Sequence, residues 1–215
     1  MLAQNRLASK VLIGSIILML LFCGSLAWRS FNPEIMSKTE LQMNGAMLLH
    51  SSIPLSDFHL VDHLNQPFRP DRLKGVWSII FFAFTNCPDI CPTTLSTLAS
   101  MYNQMSLGER KNLQIYMVSL DTGRDTSHRL SQYVPYFNSD FVGVTGEQDS
   151  VGKFATELNV AYSQVQLDEN NYTIDHGTQL ILINPRGEYH AFFKSPHSET
   201  MLLQSWRSIV GMGLD

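Results

Sequence analysis

A nearly uninterrupted apolar run, VWSIIFFAF at Val76–Phe84, constrains the fold of this chain more than any other feature. The run is rich in the β-branched and aromatic residues that favour strands. Because polar residues do not alternate with the apolar ones, both faces of such a strand must be covered by other elements. The sequence therefore predicts a central strand in the interior of an α/β domain.

Strand and helix patterns alternate around this run. The predicted elements are a hairpin from Phe58–Val61 with its turn at 64–67, a helix carrying Leu95 to Met105, a strand at Leu113–Leu120, a helix capped by Asp125, a helix over 151–158, a hairpin of Leu180–Asn184 with Glu188–Phe193, and a last helix starting at Ser195 and Pro196. A βαβ unit followed by a hairpin and a final helix is typical of an α/β, thioredoxin-like sandwich with a mixed sheet. We expect this domain, with its added N-terminal hairpin, to occupy residues 57–215.

The first 28 residues differ in character from the rest of the chain. Arg6 and Lys10 are followed by Val11–Trp28, which contains no charged residue. A helix of that length covers ~27 Å, close to the ~30 Å hydrocarbon core of a bilayer. Since a basic flank stays in the cytoplasm, the sequence predicts one transmembrane helix in a bacterial-type inner membrane, with the domain on the periplasmic side.

Two alternatives to an uncleaved anchor remain open. Ser25-Leu26-Ala27 fits the small-x-small pattern of signal-peptide cleavage before Trp28, and Cys23 is a candidate for lipid modification. All three interpretations place the domain across the membrane. We expect residues 29–56 to form a tether that leads into the domain.

Charge and cysteine content exclude two classes of protein. The formal net charge is −4, and it becomes −6 once the two positive charges of residues 1–28 are set aside. Without a run of Lys and Arg, the chain does not match a nucleic-acid-binding protein. Cys23, Cys87 and Cys91 are its only cysteines, too few for a fold held by several disulfides.

Cys87 and Cys91 fall where the predicted central strand ends and the next helix begins. Open α/β sheets place their functional sites beyond the carboxyl ends of the strands. The N-terminus of a helix stabilises a thiolate, and residues four apart in a helix share one face. Two soft sulfur ligands suit Cu(I), whereas a structural zinc site requires four ligands. A redox-active or a structural disulfide remains an alternative use of the pair.

A third copper ligand would come from one of the seven histidines. The residue pattern favours His176, because it lies just before the strand Leu180–Asn184, whose entry loop faces the cysteine turn in a thioredoxin-like fold. His59 and His63, near the first hairpin, are weaker candidates. We expect the other four to be exposed, namely His50, His128, His190 and His197.

The chain resembles the SCO/SenC family of membrane-anchored copper proteins in three segments. These are FFAFTNCPDICPTTL (Phe81–Leu95), SLDTGRDT (Ser119–Thr126) and YTIDHGTQLILINPRGEY (Tyr172–Tyr189). The resemblance implies a copper ion, Cu(I) with Cu(II) left open, held by Cys87, Cys91 and His176. It also places Asp89 and Asp175 beside the site, and Asp121 is expected behind it.

The same resemblance implies a function. The family's usual role is to take copper from a donor protein and deliver it to the binuclear copper centre of cytochrome c oxidase subunit II or a similar acceptor. The alternative is a thiol-disulfide oxidoreductase that keeps the acceptor cysteines reduced. In that case Cys87 attacks the target disulfide and Cys91 resolves the mixed disulfide.

Overall fold

A computed structural model describes residues 13–25, 35–169 and 171–213 of the chain. The chain divides into two units, Met1–Met36 and Ser37–Asp215. In the first unit residues 13–25 form an exposed helix, α1. The predicted anchor, Val11–Trp28, extends past this helix at both ends, to positions outside the described residues.

Within the described ranges we find no helix that combines the length and the apolar character needed to span a bilayer. The membrane anchor therefore stays a prediction from the sequence.

The described residues of the second unit form ten strands, six helices and one short 3-10 turn. Its strands are β1 (Ala46–Pro54), β2 (Leu60–Asp62), β3 (Pro67–Phe68), β4 (Trp77–Ala83), β5 (Leu113–Ser119), β6 (Val142–Thr145), β7 (Tyr162–Asp168), β8 (Asn171–His176), β9 (Leu180–Ile183) and β10 (Glu188–Phe193). Its helices are α2 (Lys38–Met43), α3 (Ile90–Asn103), α4 (Leu107–Lys111), α5 (Ser127–Phe137), α6 (Gln148–Glu157) and α7 (Glu199–Met212), and the 3-10 turn is Pro70–Leu73.

Eight strands form one mixed sheet in the order β1-β10-β9-β4-β5-β6-β2-β3. The predicted central strand is confirmed, since β4 lies between β9 and β5 and all seven of its residues are buried. β4 and β5 run parallel, and β9 pairs antiparallel with the other side of β4. The predicted mixed α/β architecture and both predicted hairpins, β2–β3 and β9–β10, are therefore present.

The sequence patterns did not predict the second sheet, which has two strands. β7 and β8 pair antiparallel as a separate ribbon, from Tyr162 opposite His176 to Asp168 opposite Asn171. Most of β7 is exposed, so its residues carry no buried pattern that would mark a strand. β8 ends at His176, and residues 177–179 then lead into β9 at the centre of the sheet.

The expected tether, 29–56, differs from the structure over its second part. Ala46–Pro54 is strand β1, which pairs antiparallel with β10 at the edge of the large sheet. Leu41 and Ala46 are fully buried, so apolar burial attaches this segment to the domain. Residues 29–34 of the expected tether lie outside the described part of the chain.

Two helix starts also differ from the predictions. α5 is capped by Thr126, whose hydroxyl accepts a hydrogen bond from the Arg129 amide, rather than by Asp125. Asp125 is instead fully buried, and its carboxylate accepts hydrogen bonds from Thr85 in the loop after β4 and from Ser119 at the end of β5. α7 begins at Glu199 with Ser198 in the N-cap position, after the predicted start at Ser195.

Two histidines that we expected to be exposed are partly buried. His190 Nδ1 lies 2.8 Å from the hydroxyl of Ser52, and its ring packs edge-on against Trp77. His197 Nε2 lies 2.9 Å from the carbonyl oxygen of Thr178. Each imidazole therefore has a local packing or hydrogen-bonding role.

Candidate metal centre

The two cysteines lie at the junction of β4 and α3, as the sequence predicts. Cys87 is in the loop after β4, and Cys91 is the second residue of α3. The Cys87 amide donates to the carbonyl of Phe84 at 3.3 Å, which closes a turn at the end of the strand. The Cys91 amide donates to the Sγ atom of Cys87 at 3.4 Å, so the helix N-terminus faces that sulfur. Both cysteines are free thiols.

His176 meets this cysteine pair from the far end of β8. Its Nδ1 atom lies 2.9 Å from the carbonyl oxygen of Gly177, and because a carbonyl only accepts, Nδ1 carries the proton. Nε2 therefore keeps its lone pair, and the Nε2 atom lies 3.8 Å from the Sγ atom of Cys91. The rings of Phe84 and Phe81 flank the imidazole, with centroids 6.0 and 6.4 Å away.

The alternative histidines are engaged elsewhere. His59 Nε2 lies 3.8 Å from a carboxylate oxygen of Asp57. His63 Nδ1 accepts a hydrogen bond from the Gly143 amide at 2.8 Å, in the large sheet. Of the three candidates, the structure brings only His176 into contact with a cysteine among the residues it describes.

Burial favours the uncharged forms of Cys91 and His176. Cys91 is fully buried, and this burial, followed by its contact with Cys87, raises the pKa of the Cys91 thiol well above its usual range. Burial likewise lowers the pKa of His176. Both shifts favour uncharged forms, because a low-dielectric interior disfavours isolated charge. Cys87 is 9% exposed and borders a cleft of about 500 Å³ that also reaches His176.

The donor set fits a thiophilic metal. Sulfur and imidazole nitrogen bonded to one metal at ~2.3 and ~2.0 Å lie roughly 3.5–4 Å apart, and the Cys91–His176 separation falls in that range. Across the described ranges, no three histidine, cysteine or carboxylate side chains already converge as a metal cluster. The Sγ atom of Cys91 and the Nε2 atom of His176 are thus as far apart as two ligands of one metal ion, and the sulfur of Cys87 lies next to Cys91.

A buried carboxylate holds the loop that carries Cys87. Asp125 accepts hydrogen bonds from the Thr85 amide at 2.8 Å and from the Ser119 hydroxyl at 2.6 Å. Arg129 donates to the Thr85 hydroxyl and to the Asn86 side chain, each at 2.5 Å. Residues 85 and 86, which immediately precede Cys87, are therefore fixed to β5 and α5. The sequence did not reveal this role, although Asp125 lies in one of the three matching segments.

The three predicted aspartates have different positions. Asp89 and Asp175 are exposed and line the cleft, one on the α3 side and one on β8. Asp121 is buried and accepts hydrogen bonds from Arg124 Nε at 2.5 Å and from the Tyr172 hydroxyl at 2.7 Å. Among the described residues, the Asp121 carboxylate contacts these side chains rather than the cysteines, so it connects the β5–α5 loop to the ribbon.

A mixed α/β sandwich that brings a cysteine pair at a strand-to-helix junction against a distant histidine defines the class of thioredoxin-like, thiol-based metal or redox proteins. The SCO1/SenC family model matches residues 50–211. The chain belongs to the SCO1/SenC family.

Individual relatives agree with this assignment. The chain is 34% identical over 149 residues to an SCO2-like protein of Rickettsia conorii, which covers 67% of this chain and 72% of that protein. It superimposes on yeast Sco1 with copper bound with a TM-score of 0.68, at 28% identity over 74% of this chain and 89% of the other. For Arabidopsis thaliana ScoI with copper bound, the TM-score is 0.68, at 26% identity over 73% and 98%.

Proposed function

We propose that this chain binds copper as Cu(I) through the thiolates of Cys87 and Cys91 and the imidazole of His176. The observation that carries the proposal is the 3.8 Å separation of Cys91 Sγ and His176 Nε2. Two thiolates are soft donors that favour Cu(I), and a neutral imidazole also suits copper. The copper-bound structures of yeast Sco1 and Arabidopsis thaliana ScoI support this choice of metal.

The copper is cargo, and its acceptor in this proposal is the binuclear copper centre of cytochrome c oxidase subunit II. A three-coordinate ion leaves room for an incoming thiolate to bond before the first ligands leave. Cys87 borders the open cleft, whereas Cys91 lies behind it. Transfer would therefore begin on the Cys87 side, and a copper donor would load the site through the same opening.

The proposal includes attachment to a membrane through residues 1–28, with the domain on the periplasmic side. Support for this part comes from the uncharged stretch Val11–Trp28 and from Arg6 and Lys10 before it.

The direct test is an anaerobic Cu(I) titration of the full reduced chain, with X-ray absorption to count sulfur and nitrogen ligands. We expect one Cu(I) per chain with two sulfurs and one nitrogen. Cys87→Ala, Cys91→Ala and His176→Ala should each weaken binding strongly. Cys23→Ala is the matched control, because Cys23 is an exposed thiol in the other unit. Unchanged affinity in Cys87→Ala together with Cys91→Ala would refute the proposed ligand set.

A second candidate function is reduction of the acceptor's disulfide. One observation favours it: the helix N-terminus donates to the sulfur of the more exposed cysteine, Cys87, while Cys91 lies buried four residues on. Cells lacking this chain distinguish the functions. If added copper restores the binuclear centre, copper delivery is the main role. If a membrane-impermeant thiol reductant restores the centre instead, disulfide reduction is the main role.

A further inference from the structure

Over its described residues the ribbon β7–β8, which carries His176, shares no strand pairing with the large sheet. Its two strands form a sheet of their own. Successive side chains of a strand point to opposite sides, so Tyr172, Ile174 and His176 share one face of β8. Ile174 is buried and His176 contacts Cys91, which identifies this face as the one directed at the domain. Besides the three-residue link from His176 to β9, side-chain contacts on this face therefore help to determine where the imidazole lies.

Tyr172 contacts two residues of the loop after β5, Asp121 and Arg124. The guanidinium of Arg124 stacks over the Tyr172 ring, 3.7 Å from the ring centroid, and also donates to the Tyr172 carbonyl oxygen at 3.1 Å. The Tyr172 hydroxyl donates to Asp121 at 2.7 Å, and Asp121 in turn accepts from Arg124 at 2.5 Å. Each of the three residues thus contacts the other two, in a closed triangle.

We propose that Asp121, Arg124 and Tyr172 form a clamp that positions His176 for copper, an inference that rests on the proposed function. The clamp grips β8 four residues before His176, about 13 Å along the strand. Asp121 and Arg124 belong to the loop after β5, the strand beside β4, at the same end of the sheet as the cysteine loop. The clamp therefore fixes the imidazole relative to the same end of the sheet that supports the cysteine loop. Asp121, Arg124 and Tyr172 are positioning residues rather than ligands.

The alternative is that the clamp only stabilises the fold, and a double-mutant cycle separates the two roles. In an otherwise unchanged chain, we expect Tyr172→Phe or Arg124→Lys to weaken Cu(I) binding roughly three- to tenfold, because β8 links the clamp to the imidazole, whereas sites more than ~7–10 Å apart without such a link usually act additively. In a His176→Ala background the same substitutions should change Cu(I) affinity less than about twofold, because no imidazole remains to be positioned.

A matched control exists elsewhere in the chain. Tyr102 also donates its hydroxyl to an aspartate, Asp140, at 3.2 Å, and lies under an arginine, Arg110, whose guanidinium is 5.6 Å from the ring centroid. None of these three residues lies in the ribbon. Tyr102→Phe should therefore leave Cu(I) affinity unchanged in both backgrounds.

Amide hydrogen exchange of the copper-free full chain tests the clamp independently of copper. We expect Tyr172→Phe and Arg124→Lys to speed exchange several-fold in residues 162–176, and Tyr102→Phe not to do so. Equal exchange in all three variants, or an equal loss of affinity with and without His176, would overturn the clamp. If the parent chain bound no Cu(I), the proposed function would fail, while the exchange result would still decide whether the clamp positions the ribbon.

Discussion

The Nε2 atom of His176 lies 3.8 Å from the Sγ atom of Cys91, although 85 residues separate the two positions in the sequence. One atom belongs to the first turn of α3 and the other to the end of a separate ribbon. An imidazole nitrogen and a soft thiol sulfur at this spacing suit a low-coordinate thiophilic ion.

Loss of the imidazole should weaken copper binding selectively. We expect His176→Ala to lower Cu(I) affinity at least about tenfold, since even mutations in the outer shell of metal sites cost 10- to 100-fold. The measurement is a competition titration against a Cu(I) chelator under anaerobic conditions. His128→Ala is the control, because His128 is an exposed histidine on α5. Equal affinities of the two variants would contradict the role of His176.

The two site cysteines should react with an alkylating reagent at different rates. Cys91 is fully buried and its thiol pKa is raised, so little thiolate is accessible to reagent, whereas Cys87 reaches the surface. In the native, reduced, copper-free chain, iodoacetamide should label Cys87 well before Cys91. Peptide mass spectrometry reports the order, and labelling in denaturant, where both should react alike, is the control. Faster labelling of Cys91 in the native chain would show that the helix end opens.

Removing the buried carboxylate behind the cysteine loop should destabilise the domain. Asp125→Ala leaves the Thr85 amide and the hydroxyls of Thr85 and Ser119 without their acceptor. We expect a loss of about 2–4 kcal/mol in the free energy of unfolding, measured by urea titration. Asp71→Ala, which removes an exposed ion pair with Lys74, should leave the free energy of unfolding nearly unchanged. A similar loss in both variants would mean that the Asp125 network contributes little.

A pair of charges between α4 and α7 should make stability depend on acid pH. Arg207 hydrogen-bonds to Glu109 and lowers the pKa of that carboxyl to about 2, from an ordinary value of 4.5. A depressed pKa in the folded state contributes stability above the unfolded value, and this contribution is lost as the pH falls from about 4.5 towards 2. Because both side chains are partly exposed, solvent screening limits the contribution to about 0.5–1 kcal/mol.

Glu109→Gln tests this pair while keeping the hydrogen bond that the side chain accepts from the Ser106 amide at the start of α4. The free energies of unfolding of parent and variant should differ at pH 7, and the difference should shrink as the pH falls from about 4.5 towards 2. A difference that stays constant over this range would assign the effect to packing rather than to charge.

Much of the fold follows from local patterns. The uninterrupted apolar run predicted β4, and Asn184-Pro185-Arg186-Gly187 predicted the β9–β10 turn, because each pattern reports the burial or backbone conformation of its own residues. β1 was mistaken for a tether, and the exposed ribbon was not predicted. Both depend on partners that are distant in sequence, β10 for β1 and the clamp for β8.

By itself the sequence determined that two cysteines four residues apart would follow a buried strand, at the point where a helix begins. This holds because strand burial and helical spacing are properties of contiguous residues. Only the tertiary structure decided which histidine faces them and what Asp121, Asp125 and Arg124 hold. Those relationships arise from long-range packing, in which a ribbon outside the main sheet is placed by side-chain contacts that no local period records.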